Sequence, residues 1–292
     1  MYQRQFYKEL EKNHNWNTLM NILDGSFFAV AFVCILPSVN IVAYLKHYTN
    51  SKVILNLPVF IANFAFAIGP FIGSFFTGKV QRKKQGMLVI AFFHRLAFIP
   101  IILVVYFFSQ RPALILPAFF MVYIIFYLIW GASSIFWQEI IGRTLHPARQ
   151  CSAMGLRETI SNLVGFGSSF LVMYILSTFA FPRNFLITFI IAFFALVISY
   201  FWLTQLKEAS YYTIYHRPPK EHLKSLFSLP QRDPQFRWYC IFIIFSYGGL
   251  FVGGLYTAVG IDRFAQKVSA DQLAGIINIL TLFSVAIFAW LL

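Results

Sequence analysis

The sequence predicts an all-α, polytopic membrane protein, and three observations carry that reading. Hydrophobic residues fill 59% of its 292 positions and charged residues only 11%, where soluble domains average about 45–50% and 25%. Phe alone occurs 36 times, more apolar side chain than a water-soluble fold of this size has interior to hide. The apolar residues also come in unbroken runs near the roughly 20 residues that cross a hydrocarbon core, without the alternation of barrel strands.

Eight runs follow in order: 18–45, 53–77, 87–108, 114–137, 154–178, 185–204, 238–260 and 273–292. Pro37 falls in the first, Pro58 and Pro70 in the second and Pro100 in the third, so bends are expected there, with freed carbonyls that a solute could meet. Small residues four apart let backbones approach: Gly69 and Gly73 in the second, Ser161, Gly165 and Ser169 in the fifth, Gly249 and Gly253 in the seventh. Tyr44, Trp137, Trp202 and Trp238 stand near run ends, as interfacial anchors do. Connections are short except 206–236, which is basic and holds Pro218, Pro219, Pro230 and Pro234. It divides a bundle over 1–205 from two further helices over 237–292. A short surface helix near Lys220–Leu229 is expected within it. The final residues, FAWLL, end inside an apolar run, as expected of a chain cut short.

Lys and Arg set the orientation. With the N-terminus cytoplasmic, fifteen fall in inner segments and six in outer ones, while Arg95 and Arg157 lie within helices. The first 19 residues are polar, contain Glu9 and Glu11, and do not have the pattern of a cleaved signal peptide. The net charge of +13 is therefore a topology signal toward anionic lipid, and no nucleic-acid partner is expected. The three cysteines form no CxxC pair, and no cofactor or metal is expected. The chain has no HExxH, GxSxG or Walker pattern, so neither an enzyme nor an ATP-driven machine is expected.

The stretch GKVQRKKQGMLVIAFFHRLAFIP carries an arginine into the third run. Arg95 lies about 12 Å beyond Met87. A central arginine costs about 2.5–3.5 kcal/mol on the insertion scale, against roughly 4–9 kcal/mol returned by the surrounding Leu, Ile, Val and Phe. The helix inserts, with Arg95 facing the bundle or a wet cavity. Its potential partners are few: Asp24, Glu139 and Glu158, with Arg157 beside the last. Together the five form an expected inner cluster of net charge −1. A static staple, a gate or proton-coupling site, and direct recognition of an anion are its three readings. His94 is a candidate proton acceptor or a packed histidine. Asn40, Asn63 and Asn162 line a cavity or bond across helices.

The order of features resembles the N-terminal part of a major facilitator superfamily transporter: six helices with both ends inside, a long basic inner linker, then a second set. GKVQRKK, with Gly78, Arg82, Lys83 and Lys84, resembles the superfamily's basic signature loop, though it is shortened and has no Asp. HPARQCSAMGLRE (146–158) resembles the loop between helices four and five, and RDPQFR (232–237) the entry to helix seven in bacterial members. The second set stops after two helices. The resemblance implies an MFS-like bundle in the plasma (inner) membrane, moving an unidentified small solute by alternating access with proton coupling. The alternative is a non-transporting sensor or assembly protein built on a similar bundle.

Overall fold

The computed structural model describes residues 2–78, 80–209, 228–248, 252–264 and 267–291. In chain order its helices include α1 (Tyr2–Cys34), α2 (Asn40–Lys46), α3 (Lys52–Thr77), α4 (Lys83–Leu96), α5 (Ile99–Phe108), α6 (Pro112–Thr144), α7 (Pro147–Thr178), α8 (Arg183–Thr204), α9 (Pro234–Gly248), α10 (Gly253–Phe264) and α11 (Ala270–Leu291), with no strand among the described residues. Six spans are long and apolar enough to cross a bilayer: Gln5–Cys34, Lys52–Thr77, Lys83–Phe108, Pro112–Thr144, Pro147–Thr178 and Arg183–Thr204. Phe64, Phe76, Phe107, Met121 and Phe194 point outward from these spans and are exposed. An apolar exterior of this extent needs hydrocarbon around it. The chain is a multi-pass α-helical membrane protein.

Helix ends differ from the apolar runs for local reasons. The 33 residues of α1 make a rod about 50 Å long, whose polar first turns extend past the apolar part. The first span breaks at 35–39, around Pro37. Proline has no N–H to give the carbonyl four residues back, here that of Val33. Asn40 Nδ2 supplies the missing donor at 2.5 Å, so a nearby side chain takes the carbonyl that bending frees. The third span breaks after Leu96 and resumes at Ile99, with Pro100 in the first turn of α5, where its missing N–H costs nothing. Pro58 and Pro70 lie inside α3, which continues through both.

One expected loop is largely helical, and the last two residues of another belong to a helix. Pro147 opens α7, so the segment expected as a loop over 146–158 is helix from its second residue. Gly78 closes α3, Arg82 precedes α4, and Lys83 and Lys84 form the first turn of α4. The seventh run divides into α9 and α10. Lys79, Gly249 and residues 220–227 of the expected surface helix lie outside the described residues.

Helix pairing carries a symmetry. Counting α1 with α2 as the first span and α4 with α5 as the third, the main contacts are first with fifth, first with sixth, second with fourth, third with fourth and third with sixth. Exchanging spans one to three with four to six maps this set onto itself. Because three crossings separate equivalent spans, the two triplets run in opposite directions through the membrane. Outside the six, α10 packs on α3 and α11 on α7, which are the equivalent second and fifth spans.

Small residues make these seams close. A Cβ on Gly69 would lie 2.5 Å from backbone atoms of Gly131 and Ala132, and one on Gly73 2.5 Å from the Ala132 carbonyl. On the equivalent seam of α1 with α7, Gly25 abuts Ser161 and Arg157, and Ser161, Gly165 and Ser169 are buried in a row. Gly275 of α11 sits equally close to Met173 of α7. Gly69→Ala is expected to cost about 1–3 kcal/mol by overpacking against backbone that cannot yield. Gly142→Ala, with nothing within 4 Å of its added Cβ, is the control. Thermal unfolding in detergent measures both, and an unchanged midpoint for Gly69→Ala contradicts the close seam.

Candidate functional site

A cavity of about 450 Å³ opens among α1, α3, α4, α6 and α7. Its charged lining residues are Asp24, Arg95, Arg157 and Glu158, with His94 and Asn162 beside them. Phe28, Phe32, Phe66 and Trp130 supply apolar wall, with Trp130 centred 5.2 Å from Phe28, 5.8 Å from Phe32 and 5.5 Å from Phe66. Ser133, Ser134, Gln138 and Ser161 add polar lining, and apolar wall with convergent polar groups is the usual make-up of a ligand site.

Arg95 occupies the middle of the third span and is only 6% exposed. Its guanidinium donates to the carbonyls of Leu196 and Ala91, each at 3.3 Å, and to Ser199 Oγ at 3.1 Å, while His94 Nδ1 lies 3.4 Å away. Ser199 Oγ in turn donates to Asp24 Oδ1 at 2.7 Å. The hydroxyl therefore relays between arginine and carboxylate. Tyr200 lies under the guanidinium, 5.7 Å from its ring centre. The partners are on α1, α4 and α8, all within the six-span bundle.

Arg157 approaches the same carboxylate from α7. Its Nη2 is 4.0 Å from Asp24 Oδ2, and its Nη1 pairs with Glu158 Oε1. The Trp137 ring, 5.0 Å from the guanidinium carbon, supports its face. Gly25 permits this arrangement, since a Cβ there would meet Arg157 Nε at 2.9 Å and Ser161 Oγ at 2.6 Å. Both atoms are buried without a hydrogen-bond partner among the described residues.

Four of the five expected cluster members thus surround one cavity, and Glu139 does not join them. Its carboxylate is 3.0 Å from Lys83 Nζ, which also donates to the Thr77 carbonyl. Similar depth does not imply a shared face, and Glu139 turns toward the start of α4. The formal charge around the cavity is therefore zero rather than −1. Lys83, expected in a loop, is 4% exposed.

His94 is fully buried, stacked on Phe126 at 4.6 Å and Trp130 at 5.8 Å, with Nε2 unpartnered among the described residues. Asn162 lines the cavity. Asn63 donates to the Val59 carbonyl of its own helix and crosses to no neighbour through that bond. Asn40 accepts from Asn278 of α11 at 2.8 Å while mending the first span. Two expected anchors serve elsewhere. Tyr44 is wholly buried among Phe119, Phe185 and Phe189, and Trp137 lies under Arg157 in the cavity wall.

The two ends of the bundle are fastened differently. At the end where α1 starts, residues 205–209 form a strap. Trp16 Nε1 donates to the Gln205 carbonyl at 3.0 Å, and Asn17 binds Lys207 through both main-chain groups while also donating to the Thr144 carbonyl. Glu208 accepts from the main-chain N–H groups of Lys83 at 2.9 Å and Lys84 at 3.0 Å, and pairs with Arg143 at 3.5 Å. A carboxylate on a helix N-terminus meets its orphan donors and its dipole together. At the far end, side-chain contacts join the bundle to the later helices. Lys46 reaches Asp262 at 2.5 Å, His47 lies 2.9 Å from Asp271, and Asn184 donates to the same carboxylate at 2.7 Å.

No family model and no curated protein matches this chain. The site therefore has to be read from its own geometry. Sequence reasoning missed Ser199 and Glu208. Ser199 carries no signal in a run of apolar residues, whereas Glu208 is an acid just beyond an apolar run, where a cap for a neighbouring helix could be sought.

Ser199→Ala leaves Arg95 Nη2 and Asp24 Oδ1 without their shared partner and is expected to destabilise by about 1–3 kcal/mol. Combined with Asp24→Asn, the losses should be non-additive, while Asp24→Asn and Glu139→Gln should add within about 0.5 kcal/mol. Denaturation midpoints of single and double variants measure this. Strong coupling of Asp24 to Glu139 contradicts the division described above. Glu208→Ala is expected to cost about 1–2 kcal/mol through the uncapped start of α4, read by the same assay.

Proposed function

We propose that the chain acts as a secondary transporter, or the greater part of one, moving a small solute by alternating access within an MFS-like arrangement. The observation that carries this reading is the charged, aromatic-walled cavity halfway along the spans, in a bundle that side-chain pairs join to the later helices at its far end. The interchangeable triplets add support, since inverted three-helix repeats with midplane sites are the usual build of such machines. So does the docking of α10 and α11 on equivalent spans.

In this proposal the N-terminus is cytoplasmic, the membrane is the plasma (inner) membrane, and the strap lies on the inner side. Arg95, Ser199 and Asp24 form the fixed part, because short hydrogen bonds link them across α1, α4 and α8. Arg157 and Glu158 form the working part facing the cavity. The Glu158 carboxylate is half exposed beside the cavity, and coupling to protons is part of the proposal. The far-end pairs are side-chain contacts in partly exposed positions, each weak enough to break without unfolding a helix.

The test needs no knowledge of the solute. In a variant with Cys34, Cys151 and Cys240 replaced, Asn162→Cys is treated with a membrane-impermeant maleimide in vesicles of each orientation. Labelling from both faces is expected, with Asp271→Asn raising the far-side rate severalfold. Labelling from one face only, in both backgrounds, would leave the non-transporting sensor or assembly protein as the better reading.

A further inference from the structure

We infer that the cavity takes an amphipathic organic anion, a carboxylate on a flat apolar body, and that Glu158 occupies Arg157 as a stand-in until that carboxylate displaces it. This rests on the cavity being the solute site proposed above.

The Arg157–Glu158 pair is the first ground. Neighbours in a helix point about 100° apart and do not face each other, so this contact forms only because the guanidinium bends back toward the adjacent carboxylate. The Glu158 side chain is 52% exposed, while that of Arg157 is 12% exposed. An ion pair with one partner in water contributes little and exchanges readily. A buried guanidinium held by a loose carboxylate is an anion site with a weak occupant.

The second ground is a surplus of donors. Arginine presents its donors as a planar fork suited to a carboxylate. At Arg157, Nε has no partner among the described residues, and Nη2 stands 4.0 Å from Asp24, beyond hydrogen-bond reach. Ser161 Oγ, one turn further along α7, is also unpartnered and the residue is 5% exposed. Asp24 does not absorb this surplus, because Oδ1 is turned to Ser199 and Oδ2 stands 4.0 Å from the nearest Arg157 nitrogen. Arg157 Nε and Ser161 Oγ both pack over Gly25, so a small parting of α1 from α7 uncovers them together. What completes the set is an acceptor.

The walls give the remainder of the ligand. Phe28, Phe32, Phe66 and Trp130 surround an apolar space beside the guanidinium. Flat apolar surface fits between such rings. A small hydrophilic anion leaves this wall unused, and a lipophilic cation leaves the unpartnered Arg157 donor unmet.

The experiment uses the full chain in detergent, with 4-tert-butylbenzoate as probe and its neutral amide and 4-tert-butylbenzylamine as controls. Isothermal titration calorimetry should show saturable binding of the carboxylate alone. Arg157→Gln should weaken it by about tenfold or more, and Glu158→Gln should strengthen it about two- to fivefold. The opposite signs of the two variants are the signature. Tighter binding of the amine, weaker binding in Glu158→Gln, or binding indifferent to Arg157→Gln would each overturn the inference. Should Arg157→Gln fail to fold, Ser161→Ala replaces it, with a loss of severalfold expected and no change counting against. Failure here is distinct from failure of the transporter reading. Two-sided labelling of Asn162→Cys without carboxylate binding overturns only the ligand class, and one-sided labelling with carboxylate binding overturns only transport.

Discussion

A guanidinium at mid-depth in an apolar bundle constrains everything around it. Its N–H groups are withdrawn from bulk water, and each unmet donor costs about 1–3 kcal/mol. Arg95 solves this with two carbonyls, one hydroxyl and a neighbouring imidazole. The solution fixes the rotation of α8, which must present Ser199 and the Leu196 carbonyl, and that of α1, which must present Asp24. Asp24 then draws Arg157 on α7, and Gly25 beside it leaves the room that arginine occupies. The walls of the cavity are thus set by satisfying one buried charge, and its aromatic lining is what remains of the same helix faces.

The two ends of the bundle differ in the kind of bond that holds them. The strap at 205–209 is made mostly of main-chain groups bonded to Asn17, Trp16 and Glu208. Those bonds lie within the six-span unit and give it a rigid end. The far end carries pairs between separate groups of helices, with Lys46, His47 and Asn184 on one side and Asp262 and Asp271 on the other. Such contacts can part while each group keeps its internal bonds. One end is thus fastened within the six-span unit and the other joins it to the later helices.

Six of the eight expected spans were legible because apolar run length is a one-dimensional property, and so were the breaks at Pro37 and Pro100, which follow from a missing N–H. Depth was legible too, which placed Asp24, Arg95, Arg157 and Glu158 at one level. Rotation about the helix axis was not. Glu139 lies at a compatible depth but faces Lys83, and Trp137 and Tyr44, near run ends, face inward. The inverted pairing of triplets also left no trace in the residues, because packing equivalence needs matching shapes rather than matching letters. Glu208 was hidden for another reason. Its partners are main-chain N–H groups more than a hundred residues away, and these have no sequence signature.

Asn40 carries a consequence for motion. Its amide N–H mends the carbonyl that Pro37 frees, and its amide oxygen holds Asn278 of α11. One planar group therefore joins the bend of the first span to the seat of the last helix. Rotating the amide to follow a departing Asn278 would withdraw the donor from Val33, and straightening or deepening the bend would carry the oxygen away from Asn278. Flexure of the first span and displacement of α11 are thereby geared as one coordinate, with a single side chain as the pinion.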